Sequence, residues 1–335
     1  MGIKNLTKSI QRYSPNSITH ENLHKLSGKR VAVDASLIIY QQLMSNPKSK
    51  LFTNSQGKVT NHITGLFYKI MNYISLNITL VFVFDGKPPD NKQACINQRK
   101  QKSEEAKELC EKATNEEEKH KYHKASLRLT KEMIQDCKTL LDYMGIDYIH
   151  PQGEAEAYAS ELCRIGYVDY VLSEDMDSLV YGCPKLIRKC IDRSLKRNDI
   201  VSIFDYSKIL EGFEITSDQF IDFCILCGCD YCESPPKIGP VSAYKLLKKF
   251  GSIQTIVEKS GHTFPENYLE TFYRAKENFH IFTGKIDTES IQVHQSKKNE
   301  EALVEFLTKT IEMNPKRVQN ALKKYNNTYQ QASTF

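Results

Sequence analysis

The feature that most constrains this chain is the placement of acidic residues directly after short apolar runs. The run Tyr170–Leu172 predicts a buried strand, and a helix is predicted to begin at Asp177 or Ser178. Asp175 and Asp177 therefore fall at the carboxyl end of a strand, where open α/β sheets build their sites. A single pair of this kind is also typical of an ordinary helix N-cap. Other segments must decide between the two interpretations.

Three more apolar runs also end close to acidic residues. The clearest is Ile78–Phe84, which has the length and continuous hydrophobicity of a strand buried on both faces. Helical patterns separate the runs, and strand, helix, strand in this order favours a parallel sheet with right-handed crossovers. A Glu in the first turn of a helix is also favoured by the helix macrodipole alone. The acids in question are Asp34, Asp85, Glu154 and Glu156.

Composition narrows the class of protein. Of the 335 residues, 40% are hydrophobic and 26% are charged, which is typical of a soluble globular protein. The net charge of +5 is modest, so nucleic-acid binding would require basic residues segregated from acidic ones. No apolar run reaches membrane-spanning length and no secretory signal is visible, so no membrane partner is expected.

Ten cysteines without a secretory signal favour a reducing, intracellular compartment. Four of them form two C-x-x-C pairs between Cys224 and Cys232. A zinc site there is disfavoured, because the single residue between the pairs is too tight for the usual ligand geometry. The cysteines also continue an apolar helical pattern, in which Cys behaves as a small buried hydrophobe.

A strongly charged stretch extends from about Lys92 to Lys124 and contains few apolar residues. This pattern is typical of a solvated helix or of disorder. Its ends are basic and its middle is acidic, which suits a helical excursion with phosphate-facing ends. An amphipathic helix is predicted from Leu127 to Met144, and Gly145 is predicted to cap it.

Two further helices, joined by a rigid loop rich in Gly and Pro, are predicted between residues 217 and 250. Ser217 is expected to cap the first helix, and the second covers Val241–Phe250. Loop N–H groups and a helix N-terminus can together cradle a phosphate. An ordinary helical hairpin has the same pattern. The second helix carries Lys245, Lys248 and Lys249.

Seven carboxylates thus stand at predicted strand ends or at the start of the rigid loop. If they converge, mutual repulsion destabilises the site unless cations neutralise it. An all-oxygen ligand set suits Mg²⁺, with Mn²⁺ as a substitute, better than zinc. The set exceeds what one ion can use, and two ions about 3.5–4 Å apart would form a clamp for in-line displacement at phosphorus. The seven are Asp34, Asp85, Glu154, Glu156, Asp175, Asp177 and Asp230.

The motifs at these positions resemble those of the flap endonuclease family of structure-specific 5′ nucleases. The resemblance covers nearly the whole chain, with the blocks in the family's order and spacing. It implies an α/β fold: a mostly parallel twisted sheet with helices on both faces, forming a PIN-like nuclease core with a helical arch and a helix-two-turn-helix lobe for DNA. The implied division is 1–91 and 132–216 for the nuclease core, 92–131 for the arch, 217–260 for the lobe and 261–335 for a C-terminal helical region. The matching blocks are Met1–Leu6, Val31–Ser36, Val83–Pro89, Glu154–Ala157, Glu174–Asp177 and Leu226–Ser234.

The resemblance also implies a reaction: Mg²⁺-dependent 5′ flap endonuclease and 5′-3′ exonuclease cleavage near single-strand/duplex junctions in DNA replication and repair. The seven carboxylates match the family's metal ligands. Lys92 and Arg99 match cations at the base of the arch, Tyr40 matches a base-stacking aromatic, and Gly2 would lie near the site. Ser234 and Ile238 match a potassium site beside a DNA phosphate. The implied DNA-binding residues are Lys92, Arg99, Gly228, Asp230, Ser234, Lys237, Ile238, Gly239, Lys245 and Lys248.

Two features depart from the family pattern. Lys237 replaces the first Gly of the usual Gly-Ile-Gly-Pro hairpin, so Lys237 is strained if the position requires a positive φ. The segment Gln330–Phe335 lacks the complete clamp-binding motif, which puts sliding-clamp binding in doubt. The expected partner is branched DNA, as 5′ flaps, double flaps and nicked or gapped duplexes, bound by a monomer. A nuclear location is expected, with mitochondrial and viral-cytoplasmic settings left open.

Two other functions share parts of this pattern. A superfamily relative specialised for 5′ resection, or for bubbles and junctions, would carry the same motifs, and a panel of branched substrates would separate it from a flap enzyme. A DNA-binding scaffold without nuclease activity would have lost one or more of the carboxylates. None of the seven is lost.

Overall fold

The computed structural model describes residues 2–45, 51–195 and 199–332. Within these ranges the strands are short and most of their side chains are buried. They are β1 (Ile18–Asn22), β2 (Arg30–Asp34), β3 (Thr79–Val83), β4 (Tyr148–Ile149), β5 (Tyr170–Leu172), β6 (Lys185–Lys189), β7 (Ile200–Asp205) and β8 (Val293–His294).

Helices connect the strands and make up most of the remaining structure. They are α1 (Leu6–Tyr13), α2 (Ala35–Leu43), α3 (Asn61–Ser75), α4 (Gln93–Lys112), α5 (Glu116–Ser126), α6 (Lys131–Met144), α7 (Ala155–Arg164), α8 (Asp177–Val180), α9 (Tyr206–Phe213), α10 (Ser217–Cys227), α11 (Pro240–Phe250), α12 (Ile253–Lys259), α13 (Tyr268–Phe279), α14 (Glu300–Glu305) and α15 (Pro315–Ala332). None of these helices, in the part of the chain that the structure describes, is long and apolar enough to cross a membrane.

The chain forms two compact units, each assembled from three separate segments. The first unit comprises residues 1–25, 86–95 and 151–291. Its strands lie in the order β1-β7-β6-β5, with β5 parallel to β6 and β7 antiparallel to both of its neighbours. Fully buried Phe204, Phe213, Phe220 and Phe223 belong to its core. The strand-to-helix connection at 173–176 joins β5 to α8 in this unit.

The second unit comprises residues 26–85, 96–150 and 292–335. Here the strands lie in the order β2-β3-β4-β8, with β2, β3 and β4 parallel and β8 antiparallel to β4. Helix α3 packs its apolar face, including the fully buried Phe67, within this unit. Asp34 ends β2, and Asp85 lies two residues beyond the end of β3.

The predicted α/β class, with parallel strand pairs, is confirmed, and the charged stretch is helical in α4 and α5. Two boundary predictions were wrong. Thr216, not Ser217, caps α10, because Thr216 and Gln219 exchange side-chain-to-backbone hydrogen bonds of 3.2 and 3.1 Å. Helix α6 begins at Lys131 and not at Leu127, because the Thr130 hydroxyl caps it. Residues 333–335, at the end of the segment that lacks the complete clamp-binding motif, lie outside the described residues.

Candidate active site

Three carboxylates of the first unit converge at the end of β5. One oxygen from each of Glu156, Asp175 and Asp177 lies within 4.8 Å of the others. Ser173 organises the group, since its hydroxyl donates to Glu156 Oε1 at 3.1 Å and accepts the Asp175 N–H at 3.1 Å. The Asp177 N–H in turn donates to Asp175 Oδ1 at 3.3 Å. The tight turn between β5 and α8 therefore fixes all three side chains.

Asp177 is the most deeply placed of these acids. Burial raises the pKa of Asp177 well above its usual range, and the nearby charges of Asp175 and Asp230 raise it further. Lys92 and the Ile3 N–H, which donates to Asp177 Oδ1 at 3.0 Å, act in the opposite direction. The carboxylate is thus buried among like charges, and a bound cation would offset that cost.

The N-terminal segment contacts the same cluster. Gly2 has a φ of 79°, in the left-handed region that favours glycine. A Cβ built on Gly2 would lie 1.8 Å from Asp175 Oδ1 and 2.7 Å from Asp177 Oδ1. No side chain fits in that space, so the backbone itself packs against the carboxylates.

Lys92 and Glu154 form an ion pair beside the cluster. Lys92 ends a 3-10 turn ahead of α4, and its Nζ lies 2.5 Å from Glu154 Oε1 and 3.6 Å from Asp230 Oδ2. Burial alone would lower the pKa of Lys92, but the attraction of Glu154, Asp230 and Glu156 outweighs it and raises the pKa above its usual value. Lys92 is therefore a fixed positive charge at the site.

Asp230 belongs to the loop between α10 and α11. Cys95 at the start of α4 contacts its Oδ1 at 3.6 Å. The loop turns sharply at Gly228, which has a φ of 93° and leaves no free space for a Cβ, since that atom would lie 3.0 Å from the Ser234 nitrogen. The loop thus holds Asp230 close to Lys92.

The hairpin residues lie further along this loop and on α11. Ser234 is half-buried and Ile238 is buried, and Gly239 is the N-cap residue of α11. Lys237 is exposed and has a φ of 64°, so a lysine occupies a left-handed backbone position.

The two lysines on α11 differ in their surroundings. Lys245 is exposed. Lys248 is also exposed, but its Nζ donates to the Glu214 carbonyl at 3.1 Å and to the Glu214 carboxylate at 3.0 Å. Binding a phosphate through Lys248 would compete with these two bonds.

The second unit carries the other predicted site residues. Asp34 is buried and caps α2, accepting the Leu37 N–H at 3.2 Å. Tyr40 is half-buried on α2, Asp85 is exposed, and Arg99 is half-buried on α4. Asp34 is therefore a helix N-cap, which from the sequence was the alternative to a functional role for an acid at the end of a strand.

Comparison with known proteins identifies the family. The XPG N-terminal domain family model matches residues 1–106 and the XPG I-region model matches residues 145–230. Flap endonuclease 1 of Glycine max is 38% identical over 332 residues, covering 97% of this chain and 86% of the relative. Flap endonuclease 1 of Drosophila mojavensis is 37% identical over 331 residues, covering 97% and 84%. This chain belongs to the flap endonuclease family.

Solved structures agree with this assignment. Flap endonuclease-1 from Methanococcus jannaschii superposes with a TM-score of 0.72 and 28% identity, covering 94% of this chain and 97% of that one. The catalytic core of Rad2 in complex with DNA substrate has a TM-score of 0.70 at 21% identity, covering 95% and 99%, which shows a shared fold. As a member of the flap endonuclease family, the chain is a hydrolase that cleaves phosphodiester bonds.

Two tyrosines at this flap endonuclease site escaped prediction from sequence. The hydroxyl of Tyr181 donates to Glu154 Oε2 at 3.0 Å, and the hydroxyl of Tyr231 donates to the same oxygen. Tyr231 follows Asp230 directly, and Tyr181 lies four residues after Asp177. Their closeness in sequence to predicted site acids is the feature from which a role at the site could have been predicted. Ser173, between β5 and the acids, was missed in the same way.

Proposed function

We propose that this flap endonuclease cuts DNA at 5′ flaps near the single-strand/duplex junction and also acts as a 5′-3′ exonuclease in DNA replication and repair. The observation that carries the proposal is the cluster of Glu156, Asp175 and Asp177 with a fixed lysine, Lys92, beside it. Carboxylates that hold cations next to a positive side chain suit a reaction at a phosphodiester. The names of the related proteins support the same activity.

The carboxylate cluster fits Mg²⁺. Its three donors are all hard oxygens within 4.8 Å of one another, and burial among like charges leaves Asp177 in need of a cation. When bound, Mg²⁺ would supply Lewis-acid stabilisation of the negative charge that develops on the phosphate oxygens during cleavage, and we propose that the site holds a second ion. We propose Mn²⁺ as a substitute. The proposed metal carboxylates are Glu156, Asp175 and Asp177 together with Asp34, Asp85, Glu154 and Asp230, whose sequence positions match the family motif.

The chain's own residues bind and orient the substrate. Lys92 holds its ammonium group beside the carboxylates, where it would donate to a non-bridging oxygen of the scissile phosphate. We propose the same role for Arg99 and a base-stacking role for Tyr40. The backbone at Gly2 and Ile3 fills the space next to Asp175 and Asp177, which excludes water from that side of the cluster.

Duplex DNA is proposed to lie against the loop and helix that follow α10, as part of a lobe spanning 217–260. The N-terminus of α11, the N–H groups of the preceding loop and exposed Lys237 and Lys245 are suited to backbone phosphates. Ser234 and Ile238 are proposed to hold K⁺ there. The related Rad2 core is described in complex with a DNA substrate, which supports DNA as the partner.

We also propose a division of the rest of the chain into regions. The nuclease core comprises residues 1–91 and 132–216, the helical arch comprises residues 92–131, and the C-terminal helical region comprises residues 261–335.

We further propose that the protein acts as a monomer in the nucleus, where its replication and repair substrates occur. Sedimentation of the protein with and without flap DNA tests the first point, and imaging of a fluorescent fusion tests the second.

The deciding experiment is cleavage of end-labelled DNA. We expect a double-flap substrate to be cut close to its junction with Mg²⁺ and to remain intact with EDTA. Bubble, Holliday-junction and blunt-ended substrates of the same sequence serve as comparisons, and each should be cut more slowly. Preferred cutting of a bubble or junction would replace the flap assignment with that of a superfamily relative, and no cutting of any substrate would overturn it.

A further inference from the structure

Both carboxylate oxygens of Glu154 are engaged by side chains. Oε1 accepts from Lys92, and Oε2 accepts from the hydroxyls of Tyr181 and Tyr231. The two hydroxyls also lie 2.5 Å from each other. Glu154 thus joins a lysine on one side to a tyrosine pair on the other.

Tyr231 contacts Lys92 in a second way. The Lys92 Nζ lies over the Tyr231 ring, 5.7 Å from its centroid, a distance at which a cation is attracted to the ring face. Tyr231 is 5% exposed and Tyr181 is 8% exposed, so both are held by the surrounding core. Tyr231 therefore fixes Lys92 through its ring directly and through its hydroxyl by way of Glu154.

The last turn of α13 supports this arrangement at two points. Phe279 packs against both tyrosine rings, with centroid distances of 5.1 Å to Tyr181 and 5.3 Å to Tyr231. Its neighbour Asn278 donates from Nδ2 to the side-chain oxygen of Asn91 at 2.7 Å, and Asn91 precedes Lys92 in the chain. The end of α13 therefore supports Lys92 in two ways. Asn278 holds the preceding residue, Asn91, and Phe279 packs against Tyr231, whose ring contacts the Lys92 side chain.

We propose that Tyr231, supported by Tyr181 and the end of α13, is a positioning residue for Lys92 in phosphodiester cleavage. A lysine carries a compact ammonium charge on a flexible four-carbon chain. The ammonium group therefore occupies one position only if neighbouring groups hold it there. Glu154 and the Tyr231 ring restrict the ammonium group to one place, so that it meets the scissile phosphate without reorganisation. This inference rests on the proposed function for the role of Lys92.

The test is a double-mutant cycle between Tyr231 and Lys92. Tyr231→Phe keeps the ring and removes the bond to Glu154, and we expect it to lower the single-turnover rate on a double flap by about 10- to 100-fold. In a Lys92→Ala background the same change should alter the rate by less than about twofold, because the residue it acts through is gone. Tyr268→Phe, which removes another buried tyrosine hydroxyl from the first unit, is the matched control and should leave the rate unchanged.

A second readout needs neither metal nor cleavage. The free enzyme is treated with acetic anhydride, and acetylation of Lys92 is quantified by mass spectrometry. We expect faster labelling of Lys92 in Tyr231→Phe and Tyr181→Phe than in the wild type, and no change in Tyr268→Phe. If wild-type protein cuts no DNA, the proposed function fails, while the labelling still decides whether Tyr231 restrains Lys92.

Two outcomes would overturn the inference. One is an equal loss of rate from Tyr231→Phe with and without Lys92, which would show that Tyr231 acts independently of it. The other is unchanged Lys92 labelling in a Tyr231→Phe protein that melts at the wild-type temperature. Should Tyr231→Phe fail to fold, Tyr181→Phe takes its place in both experiments.

Discussion

Asp177 illustrates how one residue can serve both the fold and the chemistry. Its carboxylate accepts the Ile3 N–H at 3.0 Å and so fastens the N-terminal segment. The same group is buried beside Asp175, where a negative charge is costly. The buried charge of Asp177 lowers the stability of the fold, but it places a carboxylate where it can bind a cation.

Replacement of Asp177 separates these two roles. We expect Asp177→Asn to lower the single-turnover rate by at least about 100-fold, as for loss of one group that stabilises developing charge. The free energy of unfolding should rise in the absence of metal, since a buried charge is removed while an oxygen remains to accept the Ile3 N–H. Affinity for flap DNA, measured by anisotropy, should change little. Cleavage within a few-fold of wild type would contradict the metal assignment.

Lys237 carries the second residue-scale prediction. The sequence predicts backbone strain at Lys237 if this position requires a positive φ, and its φ is 64°. We expect Lys237→Gly to raise the free energy of unfolding by up to about 1 kcal/mol, since the left-handed strain of roughly 1–2 kcal/mol exceeds the flexibility cost of glycine. Urea titration measures this difference. An unchanged or lower stability would mean that the loop tolerates lysine without strain.

DNA binding by the same variant tests the charge of Lys237. Lys237→Gly should weaken duplex binding, reduce the salt slope of log affinity by at most about one unit, and increase the preference for K⁺ over a bulky monovalent ion. Lys237→Asn is the matched control, because asparagine tolerates a positive φ but carries no charge. Equal binding by all three proteins would show that Lys237 does not meet phosphate.

Helices α3 and α6 of the second unit enclose an unusual histidine, which matters at the scale of elements. His62 is fully buried at the start of α3, and within the described residues neither ring nitrogen has a hydrogen-bond partner. Asp136 on α6 lies 4.0 Å away, and Lys58 pairs with that carboxylate at 2.8 Å. Burial, with a smaller contribution from Lys58, lowers the pKa of His62 to about 4 despite the opposing charge of Asp136.

This packing makes stability depend on pH. The unfolded chain binds a proton at His62 below about pH 6.5, whereas the folded chain resists it down to about pH 4. The contribution of His62 is therefore complete above pH 6.5 and declines by about 1.4 kcal/mol per pH unit as the pH falls toward 4. His62→Leu should show a shallower fall in unfolding free energy between pH 7 and pH 5 by urea titration. Exposed His24→Leu should keep the wild-type slope, and an unchanged slope in His62→Leu would refute the account.

Sequence patterns were informative for elements whose signal is local. The strands that lead to Asp34, Asp85 and Asp175 were recognised because a continuous apolar run ends there. By contrast, β1 has a single apolar residue, Ile18, and β8 has two residues, so neither presents an apolar run or a periodicity to detect. The bond between Tyr231 and Glu154 spans 77 residues, and only the fold brings such a pair together. Local composition predicts where carboxylates stand but not which hydroxyls restrain them.

At the scale of the whole molecule, the acidic cluster predicts that metal binding stabilises the fold. Mg²⁺ at about 100 times its dissociation constant should raise the free energy of unfolding by about 2.7 kcal/mol. Calorimetry of the wild type with Mg²⁺ and with EDTA measures the shift. A protein with both Asp175→Asn and Asp177→Asn should lose most of it, whereas Arg274→Gln, an exposed helical change, should retain it. No shift in the wild type would count against the cluster as a metal site.

The interleaving of the two units has a consequence during protein synthesis. The first unit begins with residues 1–25 but includes residues up to 291, and the second ends with 292–335. At about 5–20 residues per second, a ribosome needs roughly 13–53 seconds to make the 266 residues from 26 to 291. The N-terminal segment lacks its Asp177 partner until residue 177 is made, and β1 lacks its partner strand until β7 (Ile200–Asp205) is made. A translation product that ends before residue 177 lacks Asp177 and cannot carry the assembled cluster of Glu156, Asp175 and Asp177.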